Sequence, residues 1–484
     1  MQDRHDRCRV VPPHPLHSLR VNPPASASGT AVAPSSDISP AARRWVMFAL
    51  LSGVAVASLD SAIANIALPT IAHDLGTTAA ASVWVVNAFQ LGTALLLLPA
   101  AALGEIRGLR IVYAFGLVAF GLASLACALS TSLFWLVLSR LLQGAGGAFV
   151  AALGPAVVRR IQPRDKIGSG LALIALAVAF SGAAGPSVAA AILSVARWPW
   201  LFLVNVPICA LAVWAFLRHA PANEPQPRRF DLGGALLSAA ALGLVVVGID
   251  TLGHDATLAV GEIVGGLAAL GVLVTHQSRR DAPLVPLDLM RIPLFSLSVV
   301  TSICSYSAQI LAYISLPFLF QTVQHRSAVE TGLLVTPWPL LVVVAAPIAG
   351  RLTRSYPAAL LGSLGLAALA IGLGCLATMP AAPSVVDVAW RMALCGIGFG
   401  FFQTPNNTTL MTAGPANRSG AAGGMLAMAR IFGWCLGSAL VAVVFALAHA
   451  RPTIACLELA CGFAAFGAIV SVSRFRAHPA GAQR

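Results

Sequence analysis

Fourteen stretches of this chain are long and apolar enough to cross a bilayer as helices, which leaves few folds open. A spanning helix needs about 20 mostly apolar residues, rising about 1.5 Å per residue across a hydrocarbon core of about 30 Å. The stretches run over 45–68, 82–103, 109–130, 133–158, 167–193, 200–218, 232–250, 256–275, 296–320, 330–350, 357–378, 386–411, 420–448 and 453–473. The seventh and eighth have polar edges, with Asp231, Asp250, His254 and Glu262 within or beside them. Composition agrees: 58% of the 484 residues are hydrophobic, 10% are charged and the mean hydropathy is +0.84. A soluble domain of that size needs more charge to cover its surface. The expected fold class is an all-α polytopic membrane protein.

The net charge of +13 does not point to nucleic acid, because the basic residues punctuate the apolar blocks and form no single face. One set of loops carries Arg107, Arg110, Arg159, Arg160, Arg164, Lys166, Arg218, Arg228, Arg229, Arg279, Arg280, Arg291, Arg351, Arg354 and Arg418. Arg43, Arg44, Arg474 and Arg476 flank the terminal spans, and the opposite loops hold Arg197, Arg326, Arg391 and Arg451. That asymmetry predicts that both termini are cytoplasmic. The first 42 residues are rich in Pro, Ser, Arg and His and lack the apolar core of a signal peptide. The expected order is a disordered cytoplasmic tail over 1–42, a six-helix bundle over 43–219, and a linker with two inserted spans over 220–292. A second six-helix bundle over 293–474 and a tail over 475–484 follow. A weak repeat supports two related halves. Arg140, Gly144, Gly146 and Gly147 in the fourth span parallel Arg391, Gly396, Gly398 and Gly400 in the twelfth, each near a proline, Pro155 or Pro405.

Asp60 stands in the first span among apolar neighbours, from Leu59 to Pro69. A charge at the bilayer centre costs about 2.5–3.5 kcal/mol on insertion scales, so such a residue is kept for function or for a buried pair. Asp60 is nine residues from Pro69, about 14 Å deep, and Arg140 is seven residues from Leu133, about 10 Å deep. If the first and fourth helices are neighbours, the two charges meet, and the pair is a candidate proton switch. Arg430 lies near the midplane of the thirteenth span with no carboxylate in its own helix; Glu262 and Glu458 read as rim carboxylates. Gly182, Gly185 and Pro186, with Ala189–Ala191 beyond, form a small-residue face that serves either close packing or a hinge. Asn87, Phe89 and Gln90 in the second span are candidate substrate contacts with Arg430, and Trp84 reads as an interfacial belt tryptophan. Cys127, Cys209, Cys304, Cys375, Cys395 and Cys435 lie in apolar runs and read as core residues. The sequence has no Gly-x-x-x-x-Gly-Lys-Ser/Thr loop for ATP and no clustered metal ligands.

These residues resemble the major facilitator superfamily, in particular its fourteen-span drug:proton antiporters, over about residues 45–450. Leu59-Asp60 to Asn65 with Ala67-Leu68-Pro69 looks like the first-span signature, and Arg140, Gln143, Gly144, Gly146 and Gly147 look like the fourth-span motif. Gly185-Pro186 looks like the antiporter motif, with Ala189-Ala190 where that motif prefers two glycines. Trp198, Trp200, Phe202, Asn205 and Pro207 look like the signature opening span six. Pro405, Asn406, Asn407, Gly420, Arg430, Gly433 and Gly437 look like the second-half pattern. The loop after span two reads Leu103-Gly104-Glu105-Ile106-Arg107-Gly108-Leu109-Arg110, with Glu105 where the family's gating motif carries Asp. The resemblance implies two six-helix bundles plus two inserted helices, proton transfer at Arg140, and a gating turn at Glu105, Arg107, Gly108 and Arg110.

It further implies a monomer in the inner (cytoplasmic) membrane. Export of small lipophilic or cationic compounds, of the quaternary ammonium or methyl viologen type, would be driven by the proton motive force without a cofactor. One charge crossing 100 mV is worth about 2.3 kcal/mol, so a dication exchanged for one proton would move against the potential. A dicationic cargo therefore requires a second titrating carboxylate besides Asp60. Export of an endogenous metabolite or antibiotic by the same mechanism is the alternative. A membrane-embedded enzyme lacks its catalytic cluster here, and a passive channel has no use for an Asp60–Arg140 pair.

Overall fold

The computed structural model describes residues 38–222, 231–253, 255–278, 287–415, 418–448 and 450–477. It contains fourteen helices long and apolar enough to cross a membrane. They are α1 (Pro40–Asp74), α2 (Ala79–Arg107), α3 (Leu109–Ala128), α4 (Leu133–Ile161), α5 (Ile167–Val195), α6 (Trp200–His219) and α7 (Leu232–Thr251). The second seven are α8 (Ala256–Ser278), α9 (Pro293–Val323), α10 (Ala328–Leu352), α11 (Ala358–Ala377), α12 (Val385–Thr412), α13 (Ala421–Leu447) and α14 (Pro452–Phe475). Helices are the open-chain solution in lipid because they satisfy every backbone donor and acceptor internally. Most of the tail expected over 1–42 lies outside the described residues. Its last residues are helical, since Ser39 accepts a hydrogen bond from the Ala42 amide (3.2 Å) and Pro40 opens the first turn.

The helices pack as two sixes with matching neighbours. In the first half α1 lies against α5 and α6, α4 against α2 and α3, and α3 against α6. In the second half α9 lies against α13 and α14, α12 against α10 and α11, and α11 against α14. The glycines of the sequence repeat occupy equivalent places. A Cβ on Gly144 would sit 2.0 Å from the Phe89 carbonyl of α2, and one on Gly396 would sit 2.3 Å from the Trp338 carbonyl of α10. Gly146 meets α3 at Phe120 (2.6 Å), and Gly398 meets α11 at Leu369 (2.5 Å). Glycine at these points lets the backbones touch. This register corrects one detail of the repeat: it places Met392, not Arg391, opposite Arg140. Arg391 instead pairs with Asp387 one turn earlier on its own helix (3.1 Å).

The halves meet where α1 lies against α9, α5 against α10, and α2 against α13. Three hydrogen bonds join them toward the side away from the chain termini. The Thr70 hydroxyl donates to Gln321 Oε1 (3.3 Å), Gln321 Nε2 donates to the Ile66 carbonyl (2.9 Å), and the Ser187 and Thr336 hydroxyls share a bond of 2.8 Å. The extra helices α7 and α8 pair with each other, and α7 rests on both α2 and α13. Trp84, expected in an interfacial belt, instead donates its indole N–H to Asp250 Oδ2 of α7 (2.9 Å).

Candidate functional site

Five helices of the first half converge on Asp60. Its Oδ1 accepts from Gln143 Nε2 of α4 (2.8 Å) and from Asn205 Nδ2 of α6 (2.7 Å), while Oδ2 pairs with Arg140 Nη1. Arg140 also donates through Nε to the Val85 carbonyl of α2 (2.9 Å) and through Nη1 to Gln143 Oε1 (2.6 Å). Gln143 bonds Ser124 Oγ of α3 as well (2.8 Å). Asp60 is 1% exposed, and Arg140, Gln143 and Asn205 are each 0% exposed. Phe89 and Phe202 close the guanidinium from two sides, their ring centroids 4.4 Å and 5.4 Å from Arg140 Cζ. A buried ion pair offsets its desolvation only when the remaining hydrogen-bonding groups are satisfied, and here the carboxylate has three donors. Removing one charge from such a pair costs about 3–5 kcal/mol, because the other is left uncompensated.

The geometry brings together the pair predicted from depth and adds two members, Gln143 and Asn205. These were visible in the sequence as amides in apolar spans, but only folding places them on Asp60. Phe89, a candidate substrate contact, is engaged with Arg140 and 5% exposed. Asn87 is buried with neither end of its amide bonded, and Gln90 is buried nearby on the same helix.

The residues that resemble the antiporter motif differ in their packing. Gly185 presses on α1: a Cβ there would lie 2.4 Å from Ala62 Cβ, two residues from Asp60. Pro186 turns its carbonyl toward α10, 2.5 Å from where a Gly332 Cβ would sit. Proline has no amide hydrogen, so the carbonyl one turn earlier, at Gly182, loses its helical donor. Gly182 has open space around it and packs against nothing, which corrects its reading as part of a close-packed face. The residues of the expected gating motif form the turn between α2 and α3. Glu105 and Arg107 are exposed on the last turn of α2, Gly108 takes φ +99°, and Arg110 Nη2 donates to the Leu217 carbonyl at the end of α6 (2.5 Å).

The second half has its own polar knot. Arg474, read from sequence as a flanking terminal cation, is 1% exposed and donates to Asn406 Oδ1 (2.7 Å) and Ser298 Oγ (3.1 Å). Asn406 in turn donates to Ser302 Oγ (2.7 Å), tying α9, α12 and α14. Among the described residues no cluster of three His, Cys, Asp or Glu could hold a metal ion.

Two six-helix bundles related by a repeat, with a buried charge network in one of them, define a membrane transporter. The Major Facilitator Superfamily model matches residues 50–438, and the chain belongs to that superfamily. It is 47% identical over 406 residues to the uncharacterized transporter YebQ of Escherichia coli (strain K12), covering 83% of this chain and 89% of that protein. It is 30% identical over 402 residues to the multidrug resistance protein Stp of Mycobacterium tuberculosis (strain ATCC 25618 / H37Rv), covering 81% of this chain and 74% of that protein. A crystal structure of a POT family transporter in complex with a thioalcohol-conjugated peptide superposes with a TM-score of 0.69 at 14% identity. That match covers 90% of this chain and 96% of the other, and is a likeness of fold alone.

Proposed function

We propose that this transporter is a proton-coupled exporter of small lipophilic compounds, working as a monomer in the cytoplasmic membrane with both termini in the cytoplasm. The observation that carries the reading is Asp60, a carboxylate buried inside the first bundle and held by Arg140, Gln143 and Asn205. In this arrangement three donors hold the carboxylate, and a shift of α1 that withdraws them frees Asp60 to exchange a proton. The packing supplies a route from that event to the seal between the halves. Asp60 is two residues from Ala62, Ala62 touches Gly185, and the neighbouring Pro186 carbonyl touches Gly332 of α10. The freed Gly182 carbonyl gives α5 a bending point along this route.

The similarity to Stp, named a multidrug resistance protein, supports the export reading. The arginine asymmetry supports the orientation. Efflux of Nile red from cells that lack their own pumps tests it. Dye should leave faster when this chain is expressed, and the gain should vanish when an uncoupler collapses the proton gradient. Export that persists with the uncoupler contradicts proton coupling.

A further inference from the structure

The export reading leaves the chemistry of the cargo open, and one cation in α13 bears on it. Arg430 lies eleven residues into the helix Ser419–Leu447, near mid-depth. At about 100° per residue, the faces of that helix can be assigned from its neighbours. Gly433 and Gly437 lie on α9, against the Ile303 and Ser307 carbonyls. Ile431, Cys435 and Ala439 pack with residues of α2 and α7. Arg430 and Trp434 share the sector between those two faces, which looks into the seam between the halves.

The guanidinium there has no hydrogen bond or ion pair among the described residues. Its Nε is buried without a partner, and the Trp434 ring stands 5.4 Å from Cζ. Trp434 donates its indole N–H to Gln309 Oε1 (3.2 Å) and stands 5.8 Å from the Tyr306 ring. Gln403 Nε2 donates to the Tyr306 hydroxyl (3.1 Å). The wall thus offers the half-buried Trp434 ring, backed by the buried Tyr306 ring, beside one positive charge without an anion.

The other charges do not balance it. Asp60 is taken by Arg140, Asp387 by Arg391, Glu330 by its capping box and Asp250 by the Trp84 indole, while Glu458 is exposed and Glu262 lies on α8, which packs on α7. No second carboxylate of the kind a dicationic cargo requires stands at mid-depth in the described parts of either bundle. Arg430 is half-buried with no anion beside it, and such a charge repels a cation placed next to it. The same group pairs strongly with a planar carboxylate or sulfonate while aromatic rings stack alongside.

We propose that the cargo is an aromatic molecule bearing an anionic or strongly accepting oxygen group, which docks on Arg430 with its ring system against Trp434. This replaces the quaternary ammonium class implied by the sequence resemblance. It rests on the export reading for the direction of transport only, since binding at equilibrium needs no gradient.

The test is equilibrium fluorescence anisotropy with the purified full chain and two dyes on the same xanthene frame, anionic fluorescein and cationic rhodamine 123. Fluorescein should bind at least tenfold more tightly, a difference of about 1.4 kcal/mol. Arg430→Gln should abolish that preference, and Arg430→Lys should keep most of it. The comparison of dyes on the unaltered protein needs no variant, so a folding defect in Arg430→Gln does not block the test. Equal or tighter binding of rhodamine 123, binding of neither dye, or equal weakening of both by Arg430→Gln overturns the proposal. Loss of proton-driven export with the fluorescein preference intact would remove the export reading and leave this one standing.

Discussion

Substituting Gly332 by alanine should pry the halves apart on the side where they are sealed. A Cβ at Gly332 would lie 2.5 Å from the Pro186 carbonyl oxygen and 2.8 Å from Ala190 Cβ, both on α5. The first is a backbone atom of a helix and cannot swing aside like a side chain. Reaching an ordinary contact of 3.4 Å requires α5 and α10 to separate by about 0.9 Å at this point. Overpacking of this size costs about 1–3 kcal/mol, and the cost falls on the sealed arrangement alone. The seal should therefore open about 5- to 150-fold more often. The Ser187–Thr336 bond, one turn further along α10, reports on it. With Ser187→Cys as a probe, a membrane-impermeant maleimide added on the outer side should label the Gly332→Ala protein at least fivefold faster. Gly261→Ala, at a site with nothing within 4 Å, should leave the rate unchanged. Equal labelling of the Gly332→Ala protein and its parent, both monodisperse, would refute the idea that this contact holds the halves together.

Two further outcomes follow from the same packing. Asn205→Leu removes one of the three donors to Asp60, costing about 1–3 kcal/mol; thermal unfolding in detergent should start lower and pH-driven flux should fall about tenfold. An unaltered flux would mean that Asn205 does not hold the carboxylate. Gly144→Val should abolish folded protein on gel filtration, because its Cβ would sit 2.0 Å from the Phe89 carbonyl, while Gly147→Ala, whose nearest atom is 3.7 Å away, should be recovered normally.

The membrane architecture was readable before folding because lipid imposes it residue by residue. Runs of apolar residues had to be helices, and depth along two of them placed Asp60 beside Arg140. Contacts between helices distant in sequence were less legible. Asn205 looks like one polar residue in an apolar span, and although Gln143 shares a helix face with Arg140 three residues earlier, nothing local says that both amides turn toward Asp60. Arg474 sits at a helix end where a cation usually reaches water, yet Asn406 and Ser298 from two other helices enclose it. Trp84 likewise begins a helix at the expected depth of the bilayer interface, and only the position of α7 gives its N–H an acceptor. Gly182 shared the small-residue pattern of Gly185, but no neighbouring helix comes within 4 Å of a Cβ there. A signal for the aromatic wall existed in α9, where Tyr306 and Gln309 interrupt an apolar run, but its partners Trp434 and Gln403 come from helices about a hundred residues later.

The account turns on whether Asp60 exchanges the proton that moves cargo. The direct measurement is pH-gradient-driven Nile red flux, with lumenal pH recorded in parallel, in liposomes holding either the unaltered protein or the isosteric Asp60→Asn variant. The account predicts that the unaltered protein couples dye flux to proton movement in the opposite direction. The variant, folded and still able to bind dye, should move neither against a gradient. Proton-coupled flux at full rate in Asp60→Asn would contradict it.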